Sequence, residues 1–209
     1  MTTIDKLKWR YATKKFDATK QLTEEKLNIL KEAFNLTATS YGLQTISLLV
    51  VEDKAIRADL VAHAYNQKQV VDASHLLVIC IQDNITAEDV DEHFDNVKSI
   101  RSTPETILEP YRKDLKHMIT GMTLEERQEW SSKQAYIALG NLMTVCAMEN
   151  IDSCPMEGFS PIEYDKVLNL KERNLKSVLL LPVGYRANDD SFAVFKKVRK
   201  QVDKAVIEM

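Results

Sequence analysis

Glycine is scarce in this chain, which has 5 glycines in 209 residues. They are far apart, at Gly42, Gly121, Gly140, Gly158 and Gly184. Glycine-rich turns that cradle phosphate, such as the dinucleotide G-x-G-x-x-G turn and the P-loop, need closely spaced glycines. The sequence therefore excludes a nucleotide site of this kind. If a phosphate is bound, side chains must hold it.

Cysteine and histidine are also sparse, with 3 and 4 residues. The cysteines form no C-x-x-C pair and the histidines no H-x-x-x-H pattern, so we predict no metal site. Membrane-spanning helices need about 20 predominantly apolar residues, and signal peptides need an apolar core. Neither pattern occurs, and with so few cysteines this predicts a cytoplasmic protein that does not enter a membrane.

The balance of charge excludes another class of partner. Lys and Arg number 28 and Asp and Glu 31, which gives a net charge of −3. A chain with this balance has no general attraction for a polyanion, so we expect no nucleic acid partner. Hydrophobic residues make up 44% and charged residues 28%, as in globular proteins. Without a linker or repeat, residues 1–209 are predicted to form a single domain.

Three apolar runs predict buried strands, at 47–51, 75–81 and 177–183. The second is apolar on both faces and is therefore expected at the centre of the sheet. A short strand is expected at 152–155. Helical periodicity is found between these runs, and helices outnumber strands. The pattern predicts an α+β domain in which helices cover a sheet.

Cap residues mark several of the predicted helices. Thr23 begins one, Ser160 followed by Pro161 begins another, and 54–65 has helical period. A helical stretch at 86–119 is expected to break at Pro104 and Pro110. The longest helix spans 123–150 and begins with a predicted capping box of Thr123 and Glu126. Its second half, 135–148, is apolar nearly all round. Such a helix is expected at the centre of the fold or in a dimer interface.

A basic segment with two aromatic residues follows the N-terminal helix, at 10–17. From its composition alone it is either a loop that holds an anion or a solvated run of charges. The segment gains meaning from its position relative to five others. In order, the six read RYATKKF at 10–16, SYGLQ at 40–44, NQKQVVDASH at 66–75, KQAY with GN at 133–141, CPMEGF at 154–159, and LPVGY at 181–185 with KVR at 197–199.

Taken together, these segments resemble the FMN-dependent nitroreductase family, the oxygen-insensitive NAD(P)H nitroreductase and flavin reductase type. The resemblance implies an α+β fold with a helix-flanked, mixed or antiparallel sheet, built as an intertwined homodimer. The tail at about 195–209 would reach the partner subunit, where residues 205–207 would add a strand. FMN would lie at the interface. NADH or NADPH would deliver hydride to flavin N5, and a quinone, nitroaromatic or related acceptor would then take it in a ping-pong cycle.

The resemblance also implies which residues hold the cofactor. Arg10, Lys197 and Arg199 match the cations on the FMN phosphate, whose oxygens suit guanidinium forks. Lys14 matches the cation near flavin N1 and O2, where it would stabilise the reduced form. The other implied contacts are Asn66 and Gln69 at the pyrimidine edge, the backbone of Glu157 and Gly158 near N5, Thr39, Ser40 and Gln134 from the other subunit, and Tyr11, Ala12, Gly42, Pro155 and Met156. No side chain is implied as nucleophile or general base.

The sequence departs from the family pattern after the second helix. Gly42 replaces an asparagine, and Thr45 and Ile46 replace Pro-Trp, which removes an aromatic wall. Two alternatives remain open for this reason. One is an FMN-binding sensor or store without efficient NAD(P)H turnover, and the other is an enzyme of the same fold with different flavin chemistry. Leu115, Met118 and Ile119 are candidates to cover the flavin.

Overall fold

A computed structural model, which describes residues 2–209, has a four-stranded antiparallel sheet. The strands are β1 (Ile46–Val51), β2 (His75–Gln82), β3 (Asp152–Ser153) and β4 (Leu175–Gly184), in the order β1-β2-β4-β3. All four predicted strands are present. β3 is shorter than expected because residues 154 and 156 make only isolated hydrogen bonds to β4.

Helices cover both faces of the sheet. They are α1 (Thr3–Trp9), α2 (Glu24–Asn35), α3 (Lys54–Ala62), α4 (Gln69–Asp72), α5 (Ala87–Arg101), α6 (Glu105–Gly121), α7 (Leu124–Met148), α8 (Pro161–Val167) and α9 (Val202–Ala205). Short 3-10 turns lie at Ser40–Gly42, Leu170–Arg173 and Ser191–Val194. No helix in residues 2–209 is both long enough and apolar enough to cross a bilayer.

The predicted helix starts are confirmed. Thr23 caps α2 by accepting a hydrogen bond from the Lys26 N–H. Thr123 and Glu126 form the expected reciprocal capping box at the start of α7. Ser160 precedes α8, which has Pro161 in its first turn. Side-chain caps therefore mark the starts of α2 and α7, whereas Ser160 makes no side-chain cap hydrogen bond and α8 agrees with the prediction in position only.

The sheet lies between two hydrophobic layers, as the all-apolar sequence of β2 predicts. On one face, Leu77, Ile79 and Leu181 pack against α7 and α2. On the other, Leu76, Val78 and Leu180 pack against α3, α4 and α8. A third, smaller core joins α5 to α6. β2 and β4 are the central strands, and β1 and β3 are the edges.

Two helix boundaries differ from the prediction. α3 ends at Ala62, and Tyr65 and Asn66 adopt positive φ angles of 52° and 58°. Pro104 does separate α5 from α6, but Pro110 lies within α6. The proline removes one backbone donor, while Leu108 and Ile119 of the same helix are buried against α5. This packing keeps the helix continuous.

Two parts of the chain, α7 and the C-terminal segment 205–207, are predicted to contribute to a dimer. α7 buries Ala138, Leu142 and Cys146 against the sheet, whereas Tyr136 and Ile137 are 47% and 50% exposed. The helix is therefore central to the fold but not buried all round. In the single chain α9 ends at Ala205 and residue 206 is extended, and the strand that 205–207 would add to a partner's sheet stays a prediction.

Candidate functional site

A cleft of about 460 Å³ lies between the N-terminal segment that follows α1 and the C-terminal tail. It is rich in cations, and no carboxylate lines it among the described residues. The lining residues are Arg10, Tyr11, Ala12, Lys14, Met143, Pro155, Phe192, Phe195, Lys196, Lys197 and Arg199. The fold thus joins the two basic segments that are farthest apart in the sequence, as the resemblance implies.

The cations of the cleft destabilise one another's charged forms. Burial lowers the pKa of Arg10, and the nearby charge of Arg199 lowers it further. The pKa of Lys197 is lowered by burial and then by Arg10 and Arg199. The ammonium of Lys197 donates to the backbone carbonyl of Arg10. Buried Arg10 Nε has no hydrogen-bond partner in the described part of the chain. An anion in the cleft would supply both a counter-charge and an acceptor.

The uncharged part of the cleft is apolar. Met143 comes from α7, and Pro155 follows β3. Phe192 and Phe195, in the tail, have ring centroids 5.2 Å apart. The cleft therefore combines an anion-binding group of side chains with apolar surface, a combination that suits an amphipathic ligand.

A buried ion pair holds the N-terminal segment against the sheet. Asp152 of β3 is 5% exposed, and its Oδ1 accepts a 2.7 Å hydrogen bond from Nε of Arg186. The Arg186 guanidinium lies 4.3 Å from the ring centroid of Trp9 and 4.6 Å from that of Tyr11. The N–H of Thr13 donates to the carbonyl of β3 residue 153 over 3.2 Å. Segment 9–13 is therefore fixed on both sides by defined contacts.

A second group of the implied residues gathers around the loop after β3. The side-chain amide of Gln67 donates to the Gly158 carbonyl over 3.0 Å. Glu157 is exposed and accepts a 2.7 Å hydrogen bond from the hydroxyl of Tyr136, which raises the pKa of that tyrosine. Asn66 is exposed beside this loop, with positive φ. These contacts hold the 157–158 backbone in one place.

Gln69 and Met156 are more enclosed. Gln69 is 8% exposed, at the start of α4. Met156 is 5% exposed and packs in the core. Its backbone N–H and carbonyl both pair with Leu180 of β4. Met156 therefore anchors the loop to the sheet, and neither of its backbone groups is left for a ligand.

A third group of the implied residues lies where the 3-10 turn at Ser40–Gly42 contacts α7. Gln134 is 4% exposed, and its Oε1 accepts a 2.9 Å hydrogen bond from the N–H of Ser40. Its Nε2 donates to the carbonyl of Trp130 over 3.1 Å. The protein itself therefore supplies a partner for both groups of this buried side chain, and its contact with a partner subunit's flavin stays a prediction. Thr39 Oγ1, by contrast, is buried without a partner in the described chain.

Gly42 has a steric reason to be glycine. Its φ is +73°, and a Cβ built on it would lie 3.3 Å from Cε1 of His93 on α5. The departure from the family pattern at this position therefore lets the loop lie against His93. Of the candidates in α6, Leu115 and Ile119 are buried in the core between α5 and α6, so the prediction that they cover a flavin is wrong.

The cleft contains seven of the implied site residues: Arg10, Tyr11, Ala12, Lys14, Pro155, Lys197 and Arg199. The groups around Gly158 and Gln134 do not line it. Sequence reasoning missed Met143, Phe192, Phe195 and Lys196. The two phenylalanines stand three residues apart in front of a basic run, and this pattern was the available signal.

The profile of the Nitroreductase family matches residues 7–185 and so ends before Lys197 and Arg199. A candidate NAD(P)H nitroreductase of Staphylococcus epidermidis is 32% identical over 97% of this chain and 94% of its own length.

Solved structures agree in fold. A candidate nitroreductase of Bacillus subtilis has a TM-score of 0.87 at 19% identity, covering 99% of this chain and 98% of its own. A candidate nitroreductase of Exiguobacterium sibiricum, crystallised in complex with FMN, has a TM-score of 0.82 at 17% identity, covering 100% and 98%. The family profile, which matches residues 7–185, and the Staphylococcus epidermidis relative show that the chain belongs to the nitroreductase family.

Proposed function

We propose that this protein is an NAD(P)H-dependent oxidoreductase that uses FMN. Relatives of similar length carry the name of NAD(P)H nitroreductases, and the related structure from Exiguobacterium contains FMN. The observation that carries the proposal is the cleft itself, in which cations cluster without a lining carboxylate and a buried arginine nitrogen lacks an acceptor. A terminal phosphate meets this need, and the glycine-poor sequence offers no glycine-rich turn to hold one.

The residues present fit such a cofactor. Arg10, Lys197 and Arg199 are proposed to hold the phosphate, since a guanidinium donates two parallel bonds to two oxygens. Lys14 lines the same cleft, where its charge would favour an electron-rich ring. FMN, when bound, supplies the hydride-accepting chemistry.

The remaining proposed contacts orient the flavin ring. The hydrogen bonds from Gln67 to Gly158 and from Tyr136 to Glu157 hold the loop whose backbone N–H groups are proposed to face the redox-active edge of the ring. Asn66 and Gln69 are proposed for its pyrimidine edge. No side chain is assigned as nucleophile or general base. NAD(P)H and the electron acceptor would bind in turn at one open site beside the flavin. The acceptor would be a quinone, a nitroaromatic or a related compound.

A homodimer would complete the site, with Thr39, Ser40 and Gln134 approaching the partner's cofactor. Two features of the single chain support this part of the proposal. Tyr136 and Ile137 form an exposed apolar stripe on α7, beside Gly140, where an added Cβ would meet nothing within 4 Å. In addition, the outer edge of β1 pairs with no strand in residues 2–209. A second copy would cover both.

Steady-state kinetics tests the activity. With NADH or NADPH varied at several fixed concentrations of a quinone, double-reciprocal plots should be parallel, as two half-reactions at one site require. Heat-released cofactor should run with FMN and not FAD on chromatography. Protein that binds FMN but speeds its reduction by neither nicotinamide would instead identify a flavin sensor or store. Intersecting plots would contradict a binding site shared by NAD(P)H and the acceptor.

A further inference from the structure

Asp190 is a buried carboxylate at the junction of the two segments that form the cleft. It is 5% exposed. Its Oδ2 accepts hydrogen bonds from the hydroxyl of Tyr11 over 2.8 Å and from the backbone N–H groups of Lys14 and Lys15 over 2.9 and 3.1 Å. Its Oδ1 accepts a fourth, from the N–H of Phe192 over 3.1 Å. Burial raises the pKa of Asp190, but these bonds outweigh burial and hold it below its usual value.

Three of these bonds join the N-terminal wall of the cleft to the C-terminal wall, and the fourth, from Phe192, holds Asp190 within the C-terminal wall. Tyr11 and Lys14 lie on the N-terminal wall, and Phe192 begins the wall that continues to Lys197 and Arg199. The two walls are about as far apart in sequence as the chain allows, with 179 positions between Tyr11 and Asp190. Asp190 itself does not line the cleft. Its position after residue 185 also lies beyond the part of the chain that the family profile matches.

We propose that Asp190 is a positioning residue for phosphate binding, which fixes the cations of the two walls at the spacing that a phosphate requires. The inference rests on the proposed function, in which the cleft holds the phosphate of FMN. Without the Asp190 bonds, the tail that carries Lys197 and Arg199 would keep few fixed contacts to the Arg10 segment, because residues 191–209 are all exposed.

The negative charge of Asp190, taken alone, has the opposite effect on phosphate affinity from its positioning role. A carboxylate close to a phosphate site repels the ligand, so removing that charge should strengthen phosphate binding if electrostatics were its only influence. Positioning predicts weaker binding when the same carboxylate is replaced. The sign of one measured change therefore distinguishes the two.

The test compares FMN with riboflavin, which lacks the phosphate, in fluorescence titrations of the full-length protein. Asp190→Asn should weaken FMN binding roughly ten- to a hundredfold, the loss expected when one charge-assisted contact is misplaced. Riboflavin binding should change little. Tyr11→Phe keeps the carboxylate charge and removes one bond, so FMN binding should weaken by a smaller factor. Asp189→Asn is the matched control, because within residues 2–209 the Asp189 side chain pairs only with exposed Lys15, and this variant should bind both flavins like the wild type.

Each outcome decides the matter. FMN binding by Asp190→Asn that equals or exceeds the wild type overturns the inference, and so does an equal loss for FMN and riboflavin, which would show general damage. If Asp190→Asn does not fold, Tyr11→Phe answers the same question. Wild-type protein that binds neither flavin overturns the proposed function, and the inference falls with it. Wild-type binding with unaffected variants overturns the inference alone.

Discussion

Replacing Arg10 by glutamine should affect the free protein and its FMN complex in different ways. Arg10 is half-buried among like charges, and both burial and Arg199 lower its pKa. Loss of its charge removes repulsion within the cation cluster. Pairs of surface charges contribute ~0.2–1 kcal/mol, so the free protein should keep its stability or gain a few tenths of a kcal/mol.

FMN binding should respond in the opposite direction. A charge-assisted hydrogen bond contributes ~1.5–3 kcal/mol, so the dissociation constant should rise roughly ten- to a hundredfold. At a ligand concentration ~100 times the wild-type constant, FMN stabilises the wild type by ~2.7 kcal/mol. After a ~30-fold rise in that constant, the same concentration stabilises the variant by only ~0.9 kcal/mol. For a chain of this size the difference corresponds to a Tm shift smaller by about 4–7 °C.

Thermal unfolding with and without FMN measures both effects in one assay. Arg173→Gln is the matched control. Arg173 is exposed and lies just before the start of β4, whereas Arg186 lies just after its end. This control variant removes the same charge and should leave the FMN-induced shift unchanged. If Arg10→Gln keeps the full FMN-induced shift, Arg10 does not contact the phosphate. A shift reduced equally in Arg173→Gln would show a general charge effect instead.

Three further predictions concern the cofactor edge, the pH dependence and the subunit interface. Lys14→Met should lower the reduction potential of bound flavin and slow hydride transfer, whereas Arg199→Ala should weaken FMN binding at an unchanged potential. A dye-coupled redox titration measures both potentials. A potential that shifts in Arg199→Ala but not in Lys14→Met would contradict this assignment. Burial lowers the pKa of His75, so the unfolded state binds more protons than the folded state as pH falls through 6.5. Urea unfolding should therefore show lower stability at pH 5 than at pH 7.5, with a smaller difference in His75→Asn, and an unchanged difference would remove His75 as the cause. Ile137→Glu should convert a dimer to a monomer in sedimentation, and a dimer that persists would place the interface elsewhere.

The elements that the sequence predicted well are those with strong local signals. Continuous apolar runs predicted β2 and β4, and caps at Thr23 and Thr123 predicted where α2 and α7 begin. The errors arise where tertiary packing outweighs local preference. Pro110 stays in α6 because the rest of the helix is buried against α5. α7 exposes one side because the sheet covers only the other.

The site was predictable to the extent that the resemblance covers it. The junction of Arg10 with Lys197 and Arg199 follows from matching segments at both ends of the chain. Asp190 was not predicted, because a carboxylate in a polar loop looks like a turn residue until four donors are seen around it. The hydrogen bonds that satisfy Gln134 also depend on long-range contacts, which periodicity does not reveal.

An absorption spectrum of the purified protein, followed by anaerobic addition of NADH or NADPH, tests the central claim most directly. The account predicts a bound flavin spectrum, acquired during expression or on titration with FMN, that bleaches on addition of a nicotinamide much faster than free FMN does. Colourless protein that takes up no FMN would contradict it.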